Sequence, residues 1–361
     1  MQALRGLAAL AVVVFHTFQW ETNEFWIGGA GVDVFFVISG FIIWTQALRP
    51  VAAPASFFWR RLTRVAPAYW LASAVIIALA AAWPSLMPEV ALSARHIALS
   101  LAFIPHTDPE GRVFPVLPPG WTLTYEAVFY ALVTAALFAP AKARFALTLA
   151  GLAAFAAAGF AWPPIYRYVA NPLMLEFAAG AGLAQWTARG GRITPGAGLV
   201  FGGLGAALLA AMWLAGVQDA LFRPLLWGLP AVMIVAGALA IEPVKALTPP
   251  RALIQLGDAS YAIYLCHLPV VALVAAAIGW PHVWIFIPAA IAASTIAGLT
   301  FHRFVERPLI VACRTLPERL AVRGETRRWP APRATHAADI APTPLIRRLR
   351  RHLLPQGEKE A

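Results

Sequence analysis

Leu4-Arg5-Gly6-Leu7-Ala8-Ala9-Leu10-Ala11-Val12-Val13-Val14-Phe15-His16 is the stretch that decides the fold. It is an apolar run holding one arginine and one histidine. Eleven positions at about 100° each make almost three turns of helix, so Arg5 and His16 share a face, roughly 16 Å apart along the axis. Such a run favours insertion into a bilayer. An ionisable side chain there costs roughly 2.5–3.5 kcal/mol on insertion scales and faces a protein interior or a watery cavity. The segment reads as a membrane helix whose polar face has a function.

The rest of the chain repeats the pattern. Of its 361 residues, 60% are hydrophobic and 12% charged, about half the ordinary soluble share of about 25%. Ten spans are expected, at 4–20, 29–47, 66–83, 121–140, 144–161, 169–187, 197–215, 222–241, 256–279 and 283–304. Each is near the ~20 residues a helix needs to cross the hydrocarbon. The expected fold is therefore all-α, a polytopic bundle of about ten transmembrane helices. The stretch 90–104 is apolar but short and reads as an interfacial or re-entrant helix. No removable signal peptide is expected, because the first apolar segment lacks a basic n-region and a clear cleavage site.

Loop charge sets the orientation. With a cytoplasmic N-terminus the inner loops collect Arg49, Arg60, Arg61, Arg64, Lys142, Arg144, Arg189, Arg192, Lys245 and Arg251. The outer segments hold only Arg95, Arg112, Arg167 and Arg223, alongside Glu21, Glu24, Glu89, Asp108, Glu110 and Asp219. This bias places both termini on the cytoplasmic side. Residues 1–306 form the expected membrane domain. Residues 307–361 carry twelve Lys/Arg against five Asp/Glu, +7 of the chain's net +11. With many prolines and no sustained apolar face, they read as a disordered cytoplasmic tail resting on anionic lipid. No stacking aromatics interleave those charges, so no nucleic acid is expected as a partner. Cys266 and Cys313 are far apart and suggest neither a disulfide nor a metal framework, and no metal cofactor is expected.

Further polar groups fall inside the spans. The second span descends through Gly31-Val32-Asp33-Val34-Phe35-Phe36-Val37-Ile38-Ser39-Gly40, and the fourth opens Gly120-Trp121-Thr122-Leu123-Thr124-Tyr125-Glu126. On the expected topology His16, Asp33 and Glu126 lie at comparable depth in the outer half. A histidine with a carboxylate partner is a sound general base, since the acid fixes the tautomer and stabilises the imidazolium. Asp33 also reads as an N-cap after the Gly28-Gly29-Ala30-Gly31 turn. Before the third span, Arg61 and Arg64 are three apart, share a helical face, and could grip one polyanion together with Arg5. A plain positive-inside anchor is the competing reading. The ninth span carries Ser260-Tyr261-Ala262-Ile263-Tyr264-Leu265-Cys266-His267-Leu268-Pro269, where His267 serves function or supports a kink at Pro269. Glu306 is expected to pair with a cytoplasmic arginine. His96, His106, His282, His336 and His352 fall in loops or the tail and read as solvated. The outer segment 84–120, rich in proline, is long enough to be a lid, a substrate shelf or a connector.

Taken together these motifs resemble the membrane-bound acyltransferase 3 family, whose members O-acylate surface glycans and other exported acceptors. The resemblance rests on the Arg5-to-His16 spacing, Gly31-Val32-Asp33 with Phe35-Phe36 and Ser39-Gly40, the Arg61/Arg64 pair, Trp121 through Glu126, and Ser260-Tyr261 through His267. It covers about residues 2–310. Many members carry two adjacent acidic residues after the tryptophan motif, whereas here Ala127 follows Glu126. That form, with Gln2-Ala3-Leu4-Arg5-Gly6, is similar to the exopolysaccharide O-acetyltransferase-like branch. The resemblance implies a multi-pass protein of the bacterial inner membrane. Its acyl-coenzyme A co-substrate, most commonly acetyl-coenzyme A, would dock on Arg5, Arg61 and Arg64. His16 would be the catalytic base or acyl carrier, supported by Asp33 and Glu126. Ser39, Trp121, Tyr125, Tyr264 and His267 would contact substrate or support the site. The acceptor would be a polysaccharide or lipid-linked sugar. Long relatives fuse an extracytoplasmic esterase-like domain after the last span; none is expected here, so a partner protein could complete transfer. A flippase for a lipid-linked glycan is the alternative from another class, and a scaffold in an export complex a third.

Overall fold

The computed structural model describes residues 1–19, 25–49, 53–161, 171–217, 222–278 and 283–313, and among them there are helices and no strands. The helices are α1 (Gln2–Gln19), α2 (Ala30–Ala47), α3 (Pro54–Ala82), α4 (Ala94–Leu101), α5 (Trp121–Leu137), α6 (Ala141–Ala161), α7 (Met174–Ala188), α8 (Pro195–Leu214), α9 (Leu229–Ile241), α10 (Arg251–Asp258), α11 (Ser260–Ile278) and α12 (Val283–Phe301). Seven helical segments are long and apolar enough to cross a membrane by length and composition. They hold α2, α3, α6, α8, α9, α11 and α12. With large apolar side chains such as Phe138, Leu214 and Trp284 exposed, this is an integral membrane protein. The helices α1, α5 and α7, of 18, 17 and 15 residues, fall outside that set of seven.

Two helix boundaries differ from expectation. α3 starts at Pro54, not near residue 66, because a proline at the first helical position needs no hydrogen-bond partner there; Arg60, Arg61 and Arg64 thus lie within its first turns. The expected span 256–279 is two helices, the amphipathic α10 and the apolar α11, parted at Ala259. The stretch 90–104 does form only a short helix, α4, as its length suggested. It folds back along α3: Tyr69 Oη donates to the Ser100 carbonyl at 3.3 Å and Trp70 Nε1 to that of Leu101 at 2.8 Å. Those anchors lie roughly 20 Å, thirteen and twelve residues, short of the end of α3 at Ala82.

Helices in lipid gain little from apolar burial against one another and pack closely where side chains are small. A Cβ on Gly40 would lie 2.2 Å from the Phe177 carbonyl oxygen, and one on Gly180 2.0 Å from that of Val37. This glycine pair draws α2 onto α7 and buries Phe36, Phe41 and Phe177 between them. On its other side α2 meets α1, which also packs on α10, α11 and α12. Ala9, Val13, Ala259 and Ile263 are buried where α1 meets α11. The chain divides into a unit of Met1–Ile310 and a second of Val311–Ala361. The tail beyond Cys313 lies outside the described residues, as do Glu21, Glu24, Arg167, Asp219, His282, His336 and His352.

Candidate active site

A cavity of about 810 Å³, counting its open mouth, lies between α1, α2, α3, α5 and α11. Arg5, Arg61, Arg64, Ser39, Glu126, Tyr130, Tyr261 and Tyr264 line it, with Phe35, Phe36 and aliphatic side chains between them. The two stretches of arginines, 56 residues apart in sequence, thus open on one space. Ser39 Oγ donates to Glu126 Oε1 at 3.2 Å, and Tyr261 Oη donates to the Val65 carbonyl at 2.8 Å. Glu126 is the one carboxylate among the lining residues, against three guanidiniums. Arg61 is 8% exposed, and its Nε has no hydrogen-bond partner. A buried charged donor left unpaired is costly, and forked guanidiniums suit phosphate oxygens. The donor set therefore fits a polyanion.

His16 faces a different partner from the carboxylates expected for it. Its Nδ1 lies 3.1 Å from His267 Nε2 and 3.0 Å from the Val12 carbonyl oxygen. His267, fully buried, has its Nδ1 2.6 Å from the Tyr264 carbonyl oxygen. Only one tautomer assignment satisfies all three contacts with neutral rings. The Nδ1–H of His267 donates to Tyr264, leaving Nε2 to accept; the Nδ1–H of His16 donates to it and to Val12. The Nε2 of His16 then carries a free lone pair, as a general base requires. Pro269 lies inside α11 two residues beyond His267, and a proline there removes one backbone hydrogen bond of the helix.

Neither imidazole lines the cavity. Tyr264 does, and its ring centroid stands 5.7 Å from that of His267 and 6.2 Å from that of Phe35. The Tyr264 hydroxyl lies 3.2 Å from Thr122 Oγ1. One side chain thus joins the arginine cavity to the histidine pair.

Asp33 joins neither group. The N-cap of α2 is Gly29, with Asp33 inside the first turn, and Asp33 accepts two hydrogen bonds from Arg223, Nε to Oδ1 at 3.0 Å and Nη2 to Oδ2 at 2.7 Å. The same guanidinium donates to the Gly29 carbonyl at 3.2 Å and lies 4.4 Å over the Trp227 ring. Glu176, 2% exposed, sits beside this pair, against Asp33. His16, Asp33 and Glu126 therefore each have a separate partner. Trp121 and Tyr125 pack edge-on at 5.5 Å, next to Phe36, and Asn171 Nδ2 donates to Tyr125 Oη.

Sequence reading missed Arg223 and Glu176. A carboxylate inside an apolar span is itself a signal, so Glu176 was findable; its neighbours were not. Two other expectations are corrected. Glu306 pairs with His302 at 2.8 Å, one turn away, not with an arginine. His96 and His106 are not solvated but 3% and 8% exposed, with His96 Nδ1 2.7 Å from His106 Nε2. Among the described residues no group of three or more His, Cys, Asp and Glu could hold a metal ion.

Helices built to cross a bilayer around an arginine-lined cavity and a buried imidazole pair suit a membrane enzyme of the group-transfer kind. A family model described as an acyltransferase domain matches residues 1–303, and the chain belongs to this acyltransferase 3 family. It is 37% identical over 311 residues to the exopolysaccharide production protein ExoZ of Rhizobium meliloti (strain 1021), covering 82% of this chain and 94% of that one. It is 27% identical over 352 residues to nodulation protein 10 of Rhizobium leguminosarum bv. viciae, covering 84% and 91%. A 147-residue stretch is 29% identical to the peptidoglycan O-acetyltransferase OatA of Listeria monocytogenes, covering 36% of this chain and 22% of OatA. No solved structure matches the chain.

Proposed function

We propose that this acyltransferase moves an acetyl group from cytoplasmic acyl-coenzyme A to a hydroxyl of a surface or exported polysaccharide, or of its lipid-linked precursor. The observation that carries the donor reading is the cluster of Arg5, Arg61 and Arg64 on one cavity, with Arg61 buried and its Nε unpartnered. The names of ExoZ and OatA support the acceptor class and the acetyl group. In this reading α1, α5 and α7 also cross the bilayer. Ten spans then return both termini to the cytoplasm of a bacterial inner membrane, with the basic tail on anionic lipid. A partner protein could deliver the acceptor or carry the product onward.

Phosphates dock on the arginines, and the thin pantetheine arm runs past Ser39 and Glu126 toward Tyr264. Displacement of the Tyr264 ring brings the thioester to His16. The Nε2 of His16 takes the proton of the acceptor hydroxyl as its oxygen attacks the thioester carbon. The carbon–sulfur bond breaks, the thiolate leaves, and His16 returns the proton to sulfur. His267 and the Val12 carbonyl together hold the tautomer that makes this possible, and His267 also supports the charged ring, a positioning role; Glu126 balances the arginines and Asp33 fixes α2 against Arg223.

Binding of acetyl-coenzyme A to the full chain in nanodiscs tests the donor site. Replacing Arg61 or Arg64 with alanine should each weaken it by about ten- to a hundredfold, the worth of one charge-assisted hydrogen bond. Equal losses for donor and acceptor would make the pair a folding element and end the donor assignment.

A further inference from the structure

The 84–120 segment meets α3 far from that helix's end. Tyr69 and Trp70, which hold it at Ser100 and Leu101, stand about 8 Å along the axis from Arg64 and about 20 Å from Ala82. No charged residue follows Arg64 in α3, and the hydrocarbon of a bilayer is about 30 Å thick. With either end of that uncharged stretch set at the membrane surface, the level of Tyr69 and Trp70 falls inside the hydrocarbon.

The end of α4 is finished in the way such a place demands. The Ala98 carbonyl accepts the Ala102 N–H at 3.1 Å, that of Leu99 the Ile104 N–H at 3.0 Å, and that of Ser100 the Phe103 N–H at 3.1 Å. The last two bonds make a Schellman motif, with Phe103 at its left-handed position, φ 56°. The Ser100 carbonyl also accepts from Tyr69 Oη, and the Leu101 carbonyl accepts from Trp70 Nε1. Every carbonyl from 98 to 101 is thus taken by a protein donor. A helix ending in water can leave such groups to solvent; in lipid each must be satisfied internally. Glycine is the usual residue at the left-handed position. Here the Phe103 ring packs 5.0 Å from that of Tyr69, a contact that offsets the backbone strain and fastens the turn to α3.

The outward surface is apolar. Ala98, Ala102 and Ile104 are exposed, next to the exposed Trp70 and Leu71 of α3. The polar groups of the segment are turned on one another: His96 meets His106, and Arg112 pairs with Glu89, Asp108 and Glu110. Arg95 stands in the first turn of α4, at the end away from Leu101. A water-filled vestibule at this depth would be lined by polar side chains. The exposed side chains instead continue the lipid face of α3, so the same neighbour covers both.

We infer that the 84–120 segment is a re-entrant arm whose tip, residues 98–104, lies in the hydrocarbon and offers Ala98, Ala102 and Ile104 to lipid acyl chains. The arm also braces the arginine cavity. Ser100 Oγ accepts the Val116 N–H at 2.9 Å, and the strap runs on to Pro119, whose carbonyl accepts from the cavity-lining Thr122 at 3.1 Å. The inference needs neither coenzyme A nor a catalytic base, so it stands or falls apart from the donor reading.

The test places a bimane label on single cysteines, in a Cys266→Ser/Cys313→Ser background, with one full chain per nanodisc. Ala98→Cys and Ala102→Cys carry the label at the tip. Leu71→Cys on the exposed face of α3 is the lipid reference, and Glu110→Cys, at an exposed acidic position, is the water reference. Gel filtration verifies that each variant is folded. Lipid brominated on its acyl chains should quench both tip labels as it quenches Leu71→Cys, and aqueous iodide should quench only Glu110→Cys. Quenching of both tip labels by iodide would make the surface the wall of an aqueous vestibule and overturn the inference. Tip labels reached by neither quencher would mean that protein covers them, and would overturn it equally.

Discussion

Replacing His267 with leucine separates two ways of building the base. In the relay, His267 Nε2 accepts the Nδ1–H of His16 at 3.1 Å, and the Val12 carbonyl oxygen stands at 3.0 Å as a second acceptor. Leucine fills the space and removes the first acceptor only. The lost bond is neutral in the resting enzyme, worth about 0.5–1.5 kcal/mol, and charge-assisted once His16 is an imidazolium, worth about 1.5–3 kcal/mol. The neutral share is lost from ground and transition states alike, so kcat feels only the difference, about 1 kcal/mol, and should fall about three- to tenfold. It should not fall by the ~10⁴ that accompanies a wrong tautomer, because Val12 still holds the proton on Nδ1. His16→Ala removes the base itself and should cost about 10²–10⁴.

Thiol release from acetyl-coenzyme A with acceptor present reads all three variants, with donor KM as the check on the remote arginine cavity. The double variant His16→Ala/His267→Leu should be no worse than His16→Ala, since a positioning residue has nothing left to position. A His267→Leu enzyme as slow as His16→Ala, with donor KM unchanged, would move the base to His267 and refute the relay. An unchanged kcat would make the 3.1 Å contact incidental.

Two further outcomes follow from polar groups outside the relay. Asp33→Asn should lower stability by about 3–5 kcal/mol, because it leaves Arg223 without its carboxylate in a buried setting; thermal unfolding in detergent measures it, and a loss below about 1 kcal/mol would mean that Glu176 takes over the pairing. In the outer segment, burial and then the neighbouring His106 push His96 below its ordinary value of 6.5. The unfolded segment therefore binds a proton that the folded one rejects, and its stability should be full above about pH 6.5 and fall below it. Burial of Asp108 works against its ionisation, yet the Arg112 guanidinium and two backbone N–H donors hold it below 3.8. Its share is present above that pH and lost only in stronger acid. Hydrogen exchange over 94–117 at pH 7.5 and 5.5 reads the histidine effect; equal protection at both would show that His96 carries no linkage.

The sequence made elements legible and left partners hidden, for a physical reason. Apolar length announces a helix, and the 3.6-residue period assigns Arg5 and His16, or Arg61 and Arg64, to one face. Nothing in that period says which helix the face will meet. His16 finds its partner 251 residues away and Asp33 finds Arg223 190 residues away. Expectation matched His16 and Asp33 to each other because α1 and α2 are adjacent, but the pairing depends on side-chain direction. Arg60, Arg61 and Arg64 fall before the expected span because charge suggests solvent, while Pro54, the helix start signal, lies earlier. His96 and His106 read as solvated because a loop in sequence suggests a loop in space. Here the segment turns back against α3, and its two rings satisfy each other out of water.

Buried charge in this bundle comes in two kinds, and the difference separates support from chemistry. Asp33 and Arg223 meet through two bonds, with the Gly29 carbonyl and the Trp227 face completing the guanidinium's surroundings. A pair so complete offers nothing to a ligand, and breaking it strands an ion, so its worth is to hold α2 against the segment before α9. Arg5, Arg61 and Arg64 face one carboxylate across a cavity, and the buried Nε of Arg61 bonds nothing. A fold that satisfies a guanidinium so fully at Arg223 could have done so at Arg61. In lipid an unpaired donor is disfavoured, and an anion entering the cavity would relieve it. On the proposed donor reading the arginine cluster is held in readiness for substrate, at a standing cost in stability that Asp33 and Arg223 do not incur.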